Sequence, residues 1–566
     1  MAKRFLIFLL IFTSIVQRSF SQNTVIDDRL HEILLKYGQA EVTLPYTDKK
    51  AIDFLTRNVS ILSVKDKIIY IRLSLVTAEW FTLQNYDYRI SEKRESKGVI
   101  SALNMNQAME WDKYPTYTQY DSIMRSFKTL YPGLCHLDTI GKSINGKLIL
   151  ALKISDNASI DEEEPEVFYS SSIHGDETGG FVLMLRLADY LLKNYQTSNR
   201  VKNLVNNLEI WINPLANPDG TYKNGNAISS PIRFNANGID LNRNFPDPVT
   251  PNTLQQKETL YMMRFLEHHR FVLSANFHSG SEVVNYPWDR WLSKFHADDS
   301  WFYGISRAYA DTVHVYSGPA YMNDLDNGVT RGAAWYIIYG GRQDYVTYGL
   351  QGREVTIELD DQFVTPAAQL SVLWQNNWRS LLGYLGNALY GIHGLVLNSV
   401  TSTAVPSKVL ISGHDKDSSQ VYSDTLTGSF TRFLSPGSWN LSFSAKGFYD
   451  TTISNIIVTD RQDTELTVKM VPKITGIDTA IPSKPALYPV PSSSELKAVL
   501  PVQITGTVNV RIYSNTGKLI SNYYTEAVEG IPVSIDIKSL SNGTYSVIFT
   551  GKLSKATCRG RFVVIK

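Results

Sequence analysis

The segment Pro165-Glu-Val-Phe-Tyr-Ser-Ser-Ser-Ile-His174-Gly-Asp-Glu177 passes from an apolar, β-branched run through a glycine into a helical pattern, Gly180 to Lys193. It therefore reads as a strand-to-helix junction with a histidine and a glutamate three positions apart. Such a pair can face one metal ion, and imidazole with carboxylate suits a catalytic zinc, which takes three protein ligands and keeps one position open for water. His-x-x-Glu alone is weak, because an ordinary surface pair has the same spacing. A third ligand is needed. Phe271-Val-Leu-Ser-Ala-Asn-Phe-His278-Ser-Gly-Ser offers one, since His278 ends a second apolar run and is followed by small residues. In α/β domains ligands gather at the carboxyl ends of strands, and both histidines lie at such ends. His268 and His269, on a polar helical stretch, are expected to be solvated.

Working outward, strands at Leu148 to Ile154, Glu166 to Ser171, Leu208 to Ile212 and Phe271 to Phe277 alternate with helical patterns at Gly180 to Lys193 and Thr253 to His268. That alternation predicts an α/β domain with a mostly parallel or mixed sheet, residues 111–391. Before it, helical Lys49 to Asn58 and β-branched Lys67 to Leu75 predict a small α+β domain, residues 22–110, serving as an inhibitory pro-segment or a permanent accessory domain. After it, helical periodicity ends. Short runs at Gly394 to Leu397, Lys408 to Ile411, Asn440 to Ser444 and Thr464 to Lys469 predict a β-sandwich, residues 392–472. A Pro- and Ser-containing linker, Lys473 to Pro491, leads to a second β-region, so that residues 473–566 form linker and final domain.

Two further stretches carry chemistry. Glu354-Val-Thr-Ile-Glu358-Leu places two carboxylates four apart on one face of a strand. Acids on an apolar strand are costly if buried without partners, so the strand either lines a polar site or is an edge with a wet face. Arg233-Phe-Asn-Ala-Asn-Gly-Ile-Asp-Leu-Asn242-Arg243-Asn-Phe-Pro carries two arginines and several amides around a glycine turn. A guanidinium grips a carboxylate through a planar fork. Beside a zinc site, this loop is a candidate for holding a peptide's terminal carboxylate.

The 55 basic and 54 acidic residues leave no global field for nucleic acid or an acidic membrane. Met1-Ala-Lys-Arg and the apolar run Phe5 to Val16 read as a signal peptide, residues 1–21. No later segment has the apolar length of a transmembrane helix. The two cysteines, Cys135 and Cys558, fall in different predicted domains and are expected to be unpaired.

These residues resemble the zinc carboxypeptidase family of the digestive carboxypeptidases A and B, and more closely its regulatory branch, the carboxypeptidase N, E, M and D type. The resemblance covers about 280 residues, roughly Asp112 to Tyr390. It rests on His-Gly-Asp-Glu, Asp-Leu-Asn-Arg-Asn-Phe-Pro, His-Ser-Gly-Ser with Asn-Tyr-Pro-Trp, Trp-Tyr with Gly-Gly-Arg-Gln-Asp-Tyr, and Thr-Ile-Glu-Leu, in the family's order. It implies one zinc on His174, Glu177 and His278, Glu358 as general base, and Arg233 polarising the scissile carbonyl. It also implies Asn242 and Arg243 on the terminal carboxylate and Tyr336 closing over the terminal residue. Asp289, eleven positions after His278, and Gln343 match the pocket that binds Lys or Arg in basic-specific members. Glu354 has no family role and is expected to be structural. Asp176 stands where the digestive branch has an arginine, so that branch's extra substrate contact is missing.

Residues 392–472 resemble the transthyretin-like domain of the regulatory branch. Leu487-Tyr-Pro-Val-Pro-Ser-Ser-Ser, Tyr513-Ser-Asn-Thr-Gly-Lys, Gly543-Thr-Tyr-Ser-Val and Arg561-Phe-Val-Val-Ile-Lys566 resemble the C-terminal sorting domain of type IX secretion. The resemblances imply a secreted or surface-attached enzyme that releases Lys or Arg from peptide or protein C-termini and engages the type IX apparatus. Two rivals are a same-fold amidohydrolase on another amide, such as a cell-wall γ-glutamyl bond, and an inactive carboxypeptidase-like adhesin. An acidic pocket at Asp289 argues against the first, and five intact site residues argue against the second. No Gly-x-Ser-x-Gly elbow supports a serine esterase.

Overall fold

The computed structural model describes residues 26–91, 98–250, 254–473 and 484–566. The expected signal peptide and residues 474–483 of the expected linker lie outside them. The chain divides into two compact units, which part between Pro472 and Lys473.

At the N-terminal end, Asp27 accepts the backbone N–H groups of Arg29 and Leu30 and so caps the helix Asp28–Tyr37. Gly38, at φ 76°, ends it in a left-handed conformation open to a residue without Cβ. Strands β1 (Ala40–Pro45), β2 (Ser60–Lys65), β3 (Ile68–Leu73) and β4 (Arg89–Ser91) form an antiparallel sheet in the order β2-β3-β1-β4. Its buried residues Val42, Ile69, Ile71 and Leu73 pack with Leu30, Leu34 and Phe81 in a cluster of their own.

The central sheet has eight strands: β5 (Cys135–Lys142), β6 (Leu148–Ile154), β7 (Glu166–Ser171), β8 (Glu209–Asn213), β9 (Phe271–His278), β10 (Ser281–Tyr286), β11 (Val329–Arg331) and β12 (Arg353–Asp360). Their order is β11-β10-β12-β9-β7-β8-β6-β5; β12, β9, β7 and β8 run parallel, while β10, β6 and β5 are joined antiparallel. Parallel strands covered on both faces read as nearly unbroken apolar runs. On β7, Val167 and Tyr169 face the helices Gly179–Asn194 and Ala367–Gly386, whereas Phe168 faces the helix Lys257–His268. That last helix starts four residues later than the sequence pattern suggests. Gln256 is held extended by Asn244, whose side chain accepts its backbone N–H, and by Asn235 and Asn237, which donate to its side chain.

β12 lies between β10 and β9, so it is no edge strand. Glu354 is fully buried and pairs with Arg342 through two N–H groups at 3.0 and 2.8 Å. His269 also departs from expectation. It follows the helix in extended conformation, which lays its ring on Trp211 and Phe265 and brings Nδ1 within 2.7 Å of Glu166.

Strand β13 (Gly391–Asn398) leads into two small sheets that enclose Ile392, Val396, Val409, Leu441, Phe443 and Val468. Asp298, just before the helix Asp299–Ser317, joins this sandwich to the central sheet, accepting from Arg353 on β12 and from Arg432 and His414 of the sandwich. The second unit is another pair of small sheets around its own core, including Val508, Val510, Val547 and Phe549. Ala486–Tyr488, expected within the linker, is a strand of this unit paired with Glu495–Val499. Leu487 packs on the core, and the flanking Pro485 and Pro489 stand outside the ladder, where no N–H is required. Cys135 and Cys558 are buried and free, and burial pushes their thiols up to about 12 and about 11.

Candidate active site

β7 and β9 are adjacent and parallel, so the turns that follow them open side by side. His174 follows β7 and His278 ends β9. Their Nδ1 atoms lie 3.1 Å apart, and each sits close to a Glu177 oxygen, at 2.7 Å for His174 and 2.8 Å for His278. The three ligand atoms are buried and lie within 4.8 Å of one another. Gly175, between the histidine and the glutamate, meets the backbone of Gly220 so closely that an added Cβ would lie 2.3 Å from its carbonyl carbon. Only glycine lets the turn bring both ligands inward.

The second nitrogens decide what the first can do. His174 Nε2 lies 3.1 Å from Asp240 Oδ1, and His278 Nε2 lies 2.7 Å from the side-chain amide of Asn276. That amide's oxygen is buried without a hydrogen-bond partner, and turning the amide over gives it the imidazole proton. With both Nε2 atoms protonated, two Nδ1 lone pairs and a carboxylate converge with no proton among them. Such a convergence fits a divalent cation. Ligating histidines held through their other nitrogen are the usual outer arrangement of metal sites, and the N, N, O donor set suits zinc.

Around this cluster the structure gathers the other predicted residues. Glu358, beside His278 on the neighbouring strand, faces the same cavity, and burial together with the Glu177 charge pushes its carboxyl well up. Arg233 donates Nε to Asp240 at 2.9 Å and Nη1 to Glu177 at 3.4 Å. Asp240 thus braces both His174 and Arg233; burial opposes its charge, but Arg233 and then His174 hold it well below the usual carboxylate range. Asn242 donates its backbone N–H to Asp240 and accepts that of Arg342, both at 2.9 Å. Arg243 spends Nη1 on the Asn242 carbonyl, while its Nε and Nη2 are buried without hydrogen-bond partners.

Asp289 accepts from Asn285 Nδ2 at 3.1 Å and Gln343 Nε2 at 3.0 Å, and burial pushes its carboxyl up to about 6. Tyr336 lines the cavity and packs on the apolar cluster of the N-terminal domain. All ten predicted residues therefore fall in one place. Asp240, Asn276 and Asn285 were not singled out in the sequence. Asp240 stands two positions before Asn242, inside a run of amides where one more polar side chain carries no signal of its own.

The zinc carboxypeptidase family pattern matches residues 120–380, and a secretion system C-terminal sorting domain matches residues 486–565. Carboxypeptidase D of Homo sapiens is 34% identical over 357 residues, covering 60% of this chain and 26% of its own. The chain thus spans about a quarter of that relative. The carboxypeptidase N catalytic chain of Homo sapiens is 31% identical over 387 residues, covering 59% of this chain and 82% of its own. Among solved structures, a carboxypeptidase A from Helicoverpa armigera aligns with 62% of this chain and 97% of its own, at 17% identity and a TM-score of 0.47. Among the described residues no helix is long and apolar enough to cross a membrane.

Proposed function

The chain belongs to the zinc carboxypeptidase family, and on that premise we propose that it is an exported metallocarboxypeptidase that removes Lys or Arg from peptide C-termini. What carries the proposal is Arg243. Its two unpartnered N–H groups lie buried in the cavity that also holds the ligand cluster, Glu358 and Asp289. A buried guanidinium left half-unpaired is costly, and a substrate carboxylate is the anion whose fork matches it.

His174, Glu177 and His278 would hold one zinc per chain, which when bound lowers the pKa of water and polarises a carbonyl. Glu358 takes the proton of the attacking water and delivers it to the leaving amine. Arg233 donates to the oxygen on which charge develops, a contribution worth about 10² to 10³ in turnover for one such donor. Asn242 and Arg243 fix the terminal carboxylate, and Tyr336 closes over the terminal residue. Asp289, held by Asn285 and Gln343, faces the cationic side chain. Carboxypeptidase D, M and N relatives support the regulatory-branch reading. The sorting domain supports export by the type IX apparatus, with the product released or attached to the surface.

The test is hydrolysis of matched peptides ending in Lys and Leu by the purified protein. Release of Lys over Leu is expected, lost on chelation, restored by zinc, and lost by at least about 10³-fold in Glu358→Gln. Zinc-loaded, folded protein that releases neither residue sinks the proposal, and release of Leu over Lys sinks the pocket assignment alone.

A further inference from the structure

Where the central α/β domain meets the sandwich that follows it, three arginines from three separate elements line one cavity of about 330 Å³. Arg200 stands at the start of the helix Asn199–Val205 and Arg379 late in the helix Ala367–Gly386. Arg461 lies in the turn between the sandwich strands Thr451–Val458 and Asp463–Met470. Among the described residues no carboxylate lines this cavity.

Two of the guanidinium groups are held in place by neutral partners. Arg379 lies over the rings of Tyr316 and Trp378, at 3.9 and 4.3 Å from their centroids, and donates Nη1 to the Gln375 carbonyl at 3.2 Å. Arg200 donates Nη2 to the Arg379 carbonyl at 3.3 Å. A guanidinium carries five N–H donors, so most of both forks stay open. Arg461 sits at φ 53°, a left-handed conformation that ordinarily selects Gly, Asn or Asp. Like charges brought together without a counter-charge repel one another, and an anion in the cavity removes that cost.

The cavity continues into an adjoining one of about 290 Å³, which shares Arg461, Tyr390 and Asn387 with it and adds Trp301, Thr459 and Asp460. The first compartment is cationic. The second offers ring faces, an amide, a hydroxyl and one carboxylate, groups that suit the C–H faces and hydroxyls of a sugar ring. Asp460 accepts hydroxyl protons and repels an anion, so the ligand's charge belongs at the arginine end. Small-molecule sites of roughly 300–1,000 Å³ are common at domain junctions. Neither compartment shares a lining residue with the cavity that holds His174, Glu177 and Glu358.

We propose that this junction binds a phosphorylated saccharide, its phosphates on Arg200, Arg379 and Arg461 and its ring beside Tyr390 and Trp301. A guanidinium grips phosphate oxygens through two parallel N–H donors, and three of them suit a ligand with at least two phosphates. Arg461 belongs to the sandwich and the other two arginines to the α/β domain, so the bound ligand ties the two together.

The test is calorimetry on the full chain at about 0.15 M salt, where exposed charges more than about 8 Å apart are screened. The probes are fructose 1,6-bisphosphate, inorganic phosphate and glucose. The bisphosphate is expected to saturate a single site and to bind at least about tenfold tighter than either of the others. Arg461→Gly suits the left-handed backbone and so spares the fold. It is expected to weaken bisphosphate binding about tenfold, the worth of one charge-assisted contact, and to leave peptide hydrolysis unchanged. Arg200→Gln is expected to weaken binding in the same way. A phosphorylated mannan fragment distinguishes the source of the sugar: tighter binding than the bisphosphate assigns a saccharide carried on a chain, equal or weaker binding a free sugar phosphate, and both support the site. Absence of saturable bisphosphate binding overturns the proposal, as does binding that neither substitution weakens. Inorganic phosphate bound as tightly as the bisphosphate overturns the saccharide assignment.

Discussion

Asp289 is a buried carboxylate with two amide donors and no salt-bridge partner among the described residues. On the proposed function, a substrate Lys or Arg supplies the missing cation. Asp289→Asn is therefore expected to lower kcat/KM for a Lys-ended peptide by about 10²-fold, the equivalent of about 3 kcal/mol for a desolvated charge pair, while leaving a Leu-ended peptide nearly unchanged. Equal losses on both peptides would place Asp289 outside the pocket. Its carboxyl, ordinarily at 3.8, is pushed up to about 6. The folded protein thus holds this proton where the unfolded chain has released it, so the group's contribution to stability falls as pH rises from 3.8 to about 6. Recognition runs the other way, because only the ionised form attracts a cation. The ratio of kcat/KM for Lys over Leu is expected to rise through about pH 6 and to be lost below it. The ratio cancels titrations of Glu358 and the ligand cluster, which act on both peptides alike. A ratio flat from about pH 5 to about pH 8 would refute the assignment. His174, Glu177 and His278 were legible as candidate ligands because polar residues at the ends of apolar runs stand out against their neighbours. Asp240 and Asn276 were not, because a residue that braces a ligand is marked only by the partner it meets in space.

The turn between β11 and Tyr336 positions that carboxylate as much as any donor does. A Cβ on Gly332 would lie 1.7 Å from Asp289 Oδ1 and 2.8 Å from Asn285 Oδ1. Gly332→Ala must therefore displace Asp289, and it is expected to reduce the preference for Lys over Leu with zinc content unchanged. A retained preference would mean the turn yields instead. On the other side of the sheet, Arg353 opens β12 and Arg432 ends a strand of the following sandwich, both buried against Asp298. Asp298→Ala leaves two guanidinium groups without that partner, and removing one member of a buried ion pair destabilises by about 3–5 kcal/mol. Urea unfolding reads this loss, and a change below about 1 kcal/mol would show that the sandwich does not depend on the junction. The strands β6 and β7 were readable because alternation and apolar runs are local properties. The start of the helix at Lys257, the packing of His269 on Trp211 and Phe265 and the approach of β2 to the cleft were not. Each is set by partners far away in sequence, and local propensity yields to such contacts.

Across the whole chain, a near-balance of charge excludes a global electrostatic role, so any preference for a charged substrate must be local. The same economy of placement separates catalysis from export. Every predicted catalytic, binding and ligand residue lies in the unit that ends at Pro472. The second unit has a complete core of its own, from Leu496 to Val564, and it contains the stretch that matches a secretion sorting domain. A unit that buries its own apolar surface unfolds by its own transition unless a large apolar interface couples it to its neighbour. Deleting residues 473–566 is therefore expected to leave peptide hydrolysis and the unfolding temperature of the first unit unchanged, and to remove one transition from the calorimetric trace. In the producing cell the same deletion is expected to stop the protein short of the outside. A single cooperative transition in the full chain, or loss of activity in the truncated chain, would show that the terminal β-domain is part of the enzyme. Retained activity with failed export would assign the two units to chemistry and to address respectively.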